Sequence, residues 1–186
     1  DFESDLTKNI DILVEELIKI SKDIWLHPEV GLKEVYSSNL LIEEFSKNNF
    51  NIKKDITNLP TAFVASFGEE KPIIGILGEY DALPGLSQKV LSKKDSLKSG
   101  EPGHGCGHNL LGVGGLGAAL ALKNLIVKYN LKGTIRYYGC PAEELLVGKV
   151  LMAKEGVFND LDAAISWHPS DVNTIWQSRD NACKSF

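Results

Sequence analysis

PIIGILGEYDAL, Pro72 to Leu83, gathers Ile73, Ile74, Ile76 and Leu77 around a single glycine and then turns polar at Glu79 and Asp81. Such a short apolar run is the pattern of a strand covered on both faces. Downstream, GTIRYYGC (Gly133–Cys140) alternates as a second strand and DAAISWH (Asp162–His168) reads as a third. Between them, GHNLLGVGGLGAALALKNLIVKYN from Gly107 reads as a helix whose first half is loaded with Gly and Ala, so that neighbouring backbones approach closely. PAEELLVGKVLMAKEGVF reads as a further helix starting at Pro141. Strands separated by helices predict an α/β fold with a mostly parallel sheet and helices on both sides.

Upstream, apolar residues recur at helical spacing from Asp5 to Leu26, an amphipathic helix ending at HPEVG, where Pro28 disfavours helical geometry for His27. A second helix is expected from about Ser37 to Asn48, then short strands over Asn51–Ile56 and Ala62–Phe67. Leu86 to Gly103, rich in lysine and serine, reads as a mobile surface loop.

Composition narrows the function classes. With 43% hydrophobic residues, 24% charged residues and a net charge of -5 in 186 residues, the chain has one globular domain's composition and no basic excess for nucleic acid or anionic membranes. No apolar run approaches the roughly 20 residues of a membrane helix, and the acidic start DFESDLTK is unlike a signal peptide, so a cytoplasmic protein is expected. Cys106, Cys140 and Cys183 show no disulfide framework spacing.

In parallel sheets, chemistry collects at the carboxyl ends of the strands. That rule selects Glu79 and Asp81, Glu143 and Glu144, Trp167 and His168, and the loop PGHGCGHN (Pro102–Asn109) that opens the glycine-rich helix. A thiolate from Cys106, imidazoles from His108 and His168 and a carboxylate form the mixed S, N and O set suited to zinc and similar metals. Singly, each residue has a plainer role. His104 is expected beside such a centre or facing solvent, Cys140 in the core, and His27 as a helix cap. Asp81 alone serves as well to hold the turn ALPG, and adjacent glutamates suit a helix start. Their joint placement raises the metal reading above these alternatives.

EYDALPGL, GHGCGHNLLG, GCPAEE and SWHP, in that order, resemble the motif series of the aminoacylase and glutamate-carboxypeptidase type of metallopeptidase, in its amidohydrolase branch; LHPEVGLKE resembles that branch's N-terminal segment. The resemblance implies a zinc-peptidase-like three-layer αβα domain and two divalent ions, Zn or Mn first, with Co or Ni as alternatives. By motif match, Cys106, His108, Glu144 and His168 are implied metal ligands, Glu143 the general base and Asp81 a residue that orients the centre. The implied reaction is hydrolysis of the amide bond of an N-acyl- or aminoacyl-amino acid. GEYDALPGLSQ with GHN resembles the subgroup acting on p-aminobenzoyl-glutamate or dipeptides.

The resemblance further implies that residues 1–186 are the N-terminal part of the catalytic domain and inactive alone. A lid that makes a homodimer, and one more ligand, are expected beyond Phe186. Two rivals stay open: a cysteine amidase using Cys106 with His168 as base, and a non-catalytic metal-binding domain.

Overall fold

The computed structural model describes residues 1–172 and 174. Cys183 lies outside the described residues. Helix α1 (Phe2–Leu26) starts where the Asp1 carboxylate accepts a hydrogen bond from the Glu3 N–H. It ends at His27, whose Nδ1 lies 2.9 Å from the Asp23 carbonyl, the capping role expected for that histidine. Helix α2 (Val35–Lys47) follows, then β1 (Asn51–Ile56) and β2 (Leu59–Phe67). The two strands join through Thr57 and Asn58, both at positive φ (58° and 60°), which gives the two-residue hairpin turn that matches strand twist.

After β3 (Ile73–Gly78) come α3 (His108–Tyr129), β4 (Thr134–Gly139), α4 (Gly148–Lys154) and β5 (Ala163–Ile165). The sheet order is β1-β2-β4-β3-β5. β2 is antiparallel to both β1 and β4, while β3 is parallel to β4 and β5, so β2 alone opposes the other four strands. The mostly parallel sheet expected from the sequence is thus present, with a hairpin at one edge.

The layers follow from which side chains each strand face carries. Phe63, Ala65, Ile76, Ile135 and Tyr137 bury one face under α1, α2 and α3. Val64, Tyr138 and Cys140 bury the other with Met152 of α4 and Ile56. Cys140 is therefore a core residue, as expected. α3 lies close on the sheet because it presents glycine there: a Cβ on Gly112 would stand 2.6 Å from the Glu79 carbonyl oxygen, and one on Gly115 2.9 Å from the Tyr137 ring.

Two expectations change. By length and composition α3 is apolar enough to cross a membrane, contrary to the count of apolar runs; its buried residues pack on α1 and the sheet, so its hydropathy serves the core. The helix expected from Pro141 begins at Gly148 instead. Ala142 and Leu146 adopt left-handed backbone (φ 54° and 55°), and this turns residues 141–147 into tight turns that no continuous helix tolerates. The segment 86–103 has no helix or strand but is tied across itself, with Ser87 N donating to Glu101 O and Lys89 paired with Asp95 at 2.8 Å.

Phe45, fully buried, meets Phe50, Phe63 and Tyr137 with ring centroids 4.7–6.2 Å apart. Phe45→Ala is expected to cost about 3–5 kcal/mol through lost contacts and a cavity at the α2–sheet junction. Denaturant unfolding of the full-length protein measures this; a loss below about 1 kcal/mol would contradict the packing described.

Candidate metal centre

Four chain segments meet at the carboxyl edge of β3, β4 and β5. Glu79 and Asp81 follow β3; Glu143 and Glu144 sit in the turn after β4; His168 follows β5; Cys106 and His108 flank the start of α3. Gly107, between the last two, takes left-handed backbone (φ 79°), which lets Cys106 and His108 depart from helical spacing and serve one site.

His108 is the centre of the arrangement and has no exposed surface. Its Nδ1 lies 2.8 Å from Asp81 Oδ1 and 3.1 Å from the Asp81 carbonyl. Both atoms are acceptors, so Nδ1 carries the proton and Nε2 is left as a lone pair facing the acids. Nε2 stands 3.1 Å from Glu79 Oε2, 3.8 Å from Glu143 Oε2 and 4.0 Å from Glu144 Oε1. The closest of these approaches lacks hydrogen-bond alignment, so Nε2 has no hydrogen-bond partner; nor has the buried Oε1 of Glu144. Cys106 Sγ lies 3.2 Å from His168 Nε2.

Donor atoms of Cys106, His108 and His168 all fall within 4.8 Å of one another, as do those of Glu79, His108 and Glu143. Three of the four expected ligands, Cys106, His108 and His168, are thus brought together; Glu144, with Oε1 4.0 Å from His108 Nε2, belongs to neither group. Asp81 stands behind them, its Oδ2 accepting from the Glu144 N–H at 2.9 Å. Glu79, named from the sequence as a strand-end acid but given no role, is the residue that sequence reasoning missed. Its signal was its place two residues before Asp81 on the same strand end. Oε1 of Glu79 accepts from Nζ of Lys149, on the first turn of α4.

Electrostatics favour a cation here. Burial opposes a proton on His108, but the hydrogen bond to Asp81 and the charges of Asp81, Glu79 and Glu144 outweigh it, so its pKa rises. The Cys106 thiol is pushed up to about 11 by burial and then by Glu144, Glu143 and Glu79. Burial, with Glu79 second, also raises the Glu143 carboxyl. Besides burial, each shift carries a contribution from the neighbouring carboxylates, negative charge that a bound cation relieves. A thiol held protonated this way is the reverse of an activated nucleophile, which counts against the cysteine amidase.

His104 does not face solvent. Both ring nitrogens are buried without partners, and burial together with nearby His108 holds its pKa down to about 4, so it is neutral. The donor pairs border a cavity of about 1170 Å³ lined by Glu79, Cys106, Glu143, Trp167 and His168. The Trp167 indole N–H donates to the Leu111 carbonyl at 3.2 Å, which ties the end of β5 to α3.

The chain is similar to several known proteins. A family model described as Peptidase family M20/M25/M40 matches residues 75–181. A p-aminobenzoyl-glutamate hydrolase subunit of Escherichia coli (strain K12) is 46% identical over 161 residues, 86% of this chain and 34% of that protein. The Xaa-Arg dipeptidase of Homo sapiens is 30% identical over 190 residues, 90% of this chain and 38% of that protein. The chain therefore spans about a third of the length of these relatives. A solved Bacillus subtilis protein, YXEP, described as a dinuclear metal binding peptidase of the M20 family, superposes with a TM-score of 0.74 at 30% identity, covering 86% of this chain and 44% of that one.

Asp81→Asn tests the clamp. The amide would turn an NH₂ toward either the His108 Nδ1–H or the Glu144 N–H, leaving a buried donor unpaired at about 1–3 kcal/mol. Thermal unfolding should register the loss; a variant as stable as wild type would disprove the bridging role.

Proposed function

This chain belongs to the M20/M25/M40 peptidase family, and from that premise we propose that the protein it represents is a dinuclear metal-dependent amidohydrolase acting on small N-acyl- or aminoacyl-amino acids. The observation that carries the proposal is the pair of buried, unpartnered donor atoms, Nε2 of His108 and Oε1 of Glu144, beside a thiol and a second imidazole. That mixture of S, N and O donors fits a borderline divalent ion such as Zn, with Mn suited to its carboxylate oxygens.

We assign Cys106, His108, Glu144 and His168 to hold the ions. When bound, divalent ions polarise the scissile carbonyl and acidify the attacking water. Glu143, half-buried at the cavity wall and 3.8 Å from His108 Nε2, is placed to take the proton from that water and return it to the leaving amine. Asp81 keeps the Nδ1 proton of His108 in place, so that in the neutral imidazole it is Nε2 that offers the lone pair. The bond from the Glu144 N–H to Asp81 fixes the turn that carries both glutamates. Residues outside this chain are proposed to add the remaining ligand and a dimerising lid.

For substrate, the names of the relatives converge on one bond type: an amide whose leaving side is an amino acid. We propose p-aminobenzoyl-glutamate or a dipeptide as the substrate class.

In full-length protein, exhaustive chelation should abolish hydrolysis of p-aminobenzoyl-glutamate, or of dipeptides, and added Zn or Mn should restore it. Hydrolysis that survives chelation but is lost on alkylating Cys106 would establish the cysteine amidase instead. Glu143→Gln should keep its metal content while losing at least about a hundredfold in turnover, the scale of general base catalysis. Glu144→Gln should lower metal occupancy. Equal metal loss in the two variants would remove the division between base and ligand.

A further inference from the structure

Glu79 is a buried carboxylate, 6% exposed, that the proposed reaction leaves without a task. Its two oxygens have different partners. Oε1 is bound to the ammonium of Lys149. Oε2 lies 3.1 Å from the unpartnered Nε2 of His108 without forming a hydrogen bond to it. Two donors each about 2.1 Å from a common ion, at angles between a right angle and tetrahedral, stand roughly 3.0–3.4 Å apart. The observed separation falls in that interval.

We propose that Glu79 is itself a metal donor of the centre, supplying Oε2 as a single oxygen beside His108 while Lys149 occupies Oε1. The inference rests on the metallohydrolase reading above and extends it. It makes the two ion positions chemically unequal. Cys106 and His168 form a soft sulfur and nitrogen pole, whereas Glu79 brings a carboxylate oxygen to the His108 side, where its donor atom shares a 4.8 Å cluster with those of His108 and the base Glu143. Carboxylate-rich positions suit Mn, and thiolate–imidazole positions suit Zn. Lys149 is the only Lys or Arg paired with these carboxylates among the described residues. Its charge repels a cation at Oε2 and keeps Glu79 from closing on one with both oxygens.

The two partners should therefore act in opposite directions. In full-length protein loaded with Mn(II) or Zn(II) under equilibrium dialysis, Glu79→Gln should weaken the binding of one ion by at least about tenfold while the other is kept. Lys149→Met should bind at least as tightly as wild type, and up to about tenfold more tightly. With Co(II), the visible bands of one site should shift in E79Q. If Glu79 and Lys149 form only a structural ion pair, E79Q will match wild type in affinity and spectrum, or both variants will weaken together. Either result overturns the proposal. Should E79Q not fold, Glu79→Asp takes its place: it keeps the charge but withdraws the oxygen by one methylene, and unchanged Co(II) bands would be equally fatal. A wild-type protein that takes up no ion refutes the metallohydrolase reading as well, whereas metal-loaded wild type with an indifferent E79Q refutes only the role of Glu79.

Discussion

The carboxylate of Asp81, 1% exposed, joins three elements at one point. One oxygen takes the His108 Nδ1 proton at 2.8 Å and the other takes the Glu144 N–H at 2.9 Å. The end of β3, the first residue of α3 and the turn after β4 are thereby held by a single side chain. A buried carboxylate is costly unless its oxygens are satisfied, so each bond depends on the other being made. The arrangement also settles the imidazole's tautomer, and with it which nitrogen is offered to the cavity.

A second buried acid does parallel work behind the site. Glu34, with no exposed surface, accepts from the Ala142 N–H at 2.7 Å and from the Thr61 hydroxyl at 3.0 Å. Burial raises its pKa against the pull of those bonds. The Tyr80 hydroxyl donates to the Thr61 carbonyl, so β2, the start of α2, the end of β3 and the turn at 142 form one hydrogen-bonded unit. Between them, Glu34 and Asp81 capture the N–H groups of Ala142 and Glu144, which explains how a sequence with helical composition is held in turns. Those turns aim Glu143 and Glu144 at His108 rather than along a helix surface.

The close seat of α3 has a similar consequence for position. Because Gly112 and Gly115 carry no Cβ, the helix lies against the Glu79 carbonyl and the Tyr137 ring, and the Tyr137 hydroxyl donates to the Gly112 carbonyl at 3.0 Å. A larger residue at either position would lift the helix start, and His108 with it, away from the acids.

Local pattern was enough to establish the elements and the cast of residues. Apolar runs without alternation marked β3 as covered on both faces; helical spacing marked α1; strand–helix alternation marked the mostly parallel sheet, since these patterns follow from local period and burial alone. The order of the motifs named the residues that gather at the sheet edge, and with them the family. Pairs distant in sequence settled the rest, and no local pattern carries them. That α4 starts at Gly148 reflects turns held by Glu34 at Ala142 and Asp81 at Glu144, 108 and 63 positions from their partners. That α3, apolar enough to suggest a membrane helix, is a core helix depends on the α1 and sheet surfaces it covers. Glu79 could not be told from any strand-end acid until folding set it between His108 and Lys149, because a carboxylate's role is fixed by the charges that burial places around it.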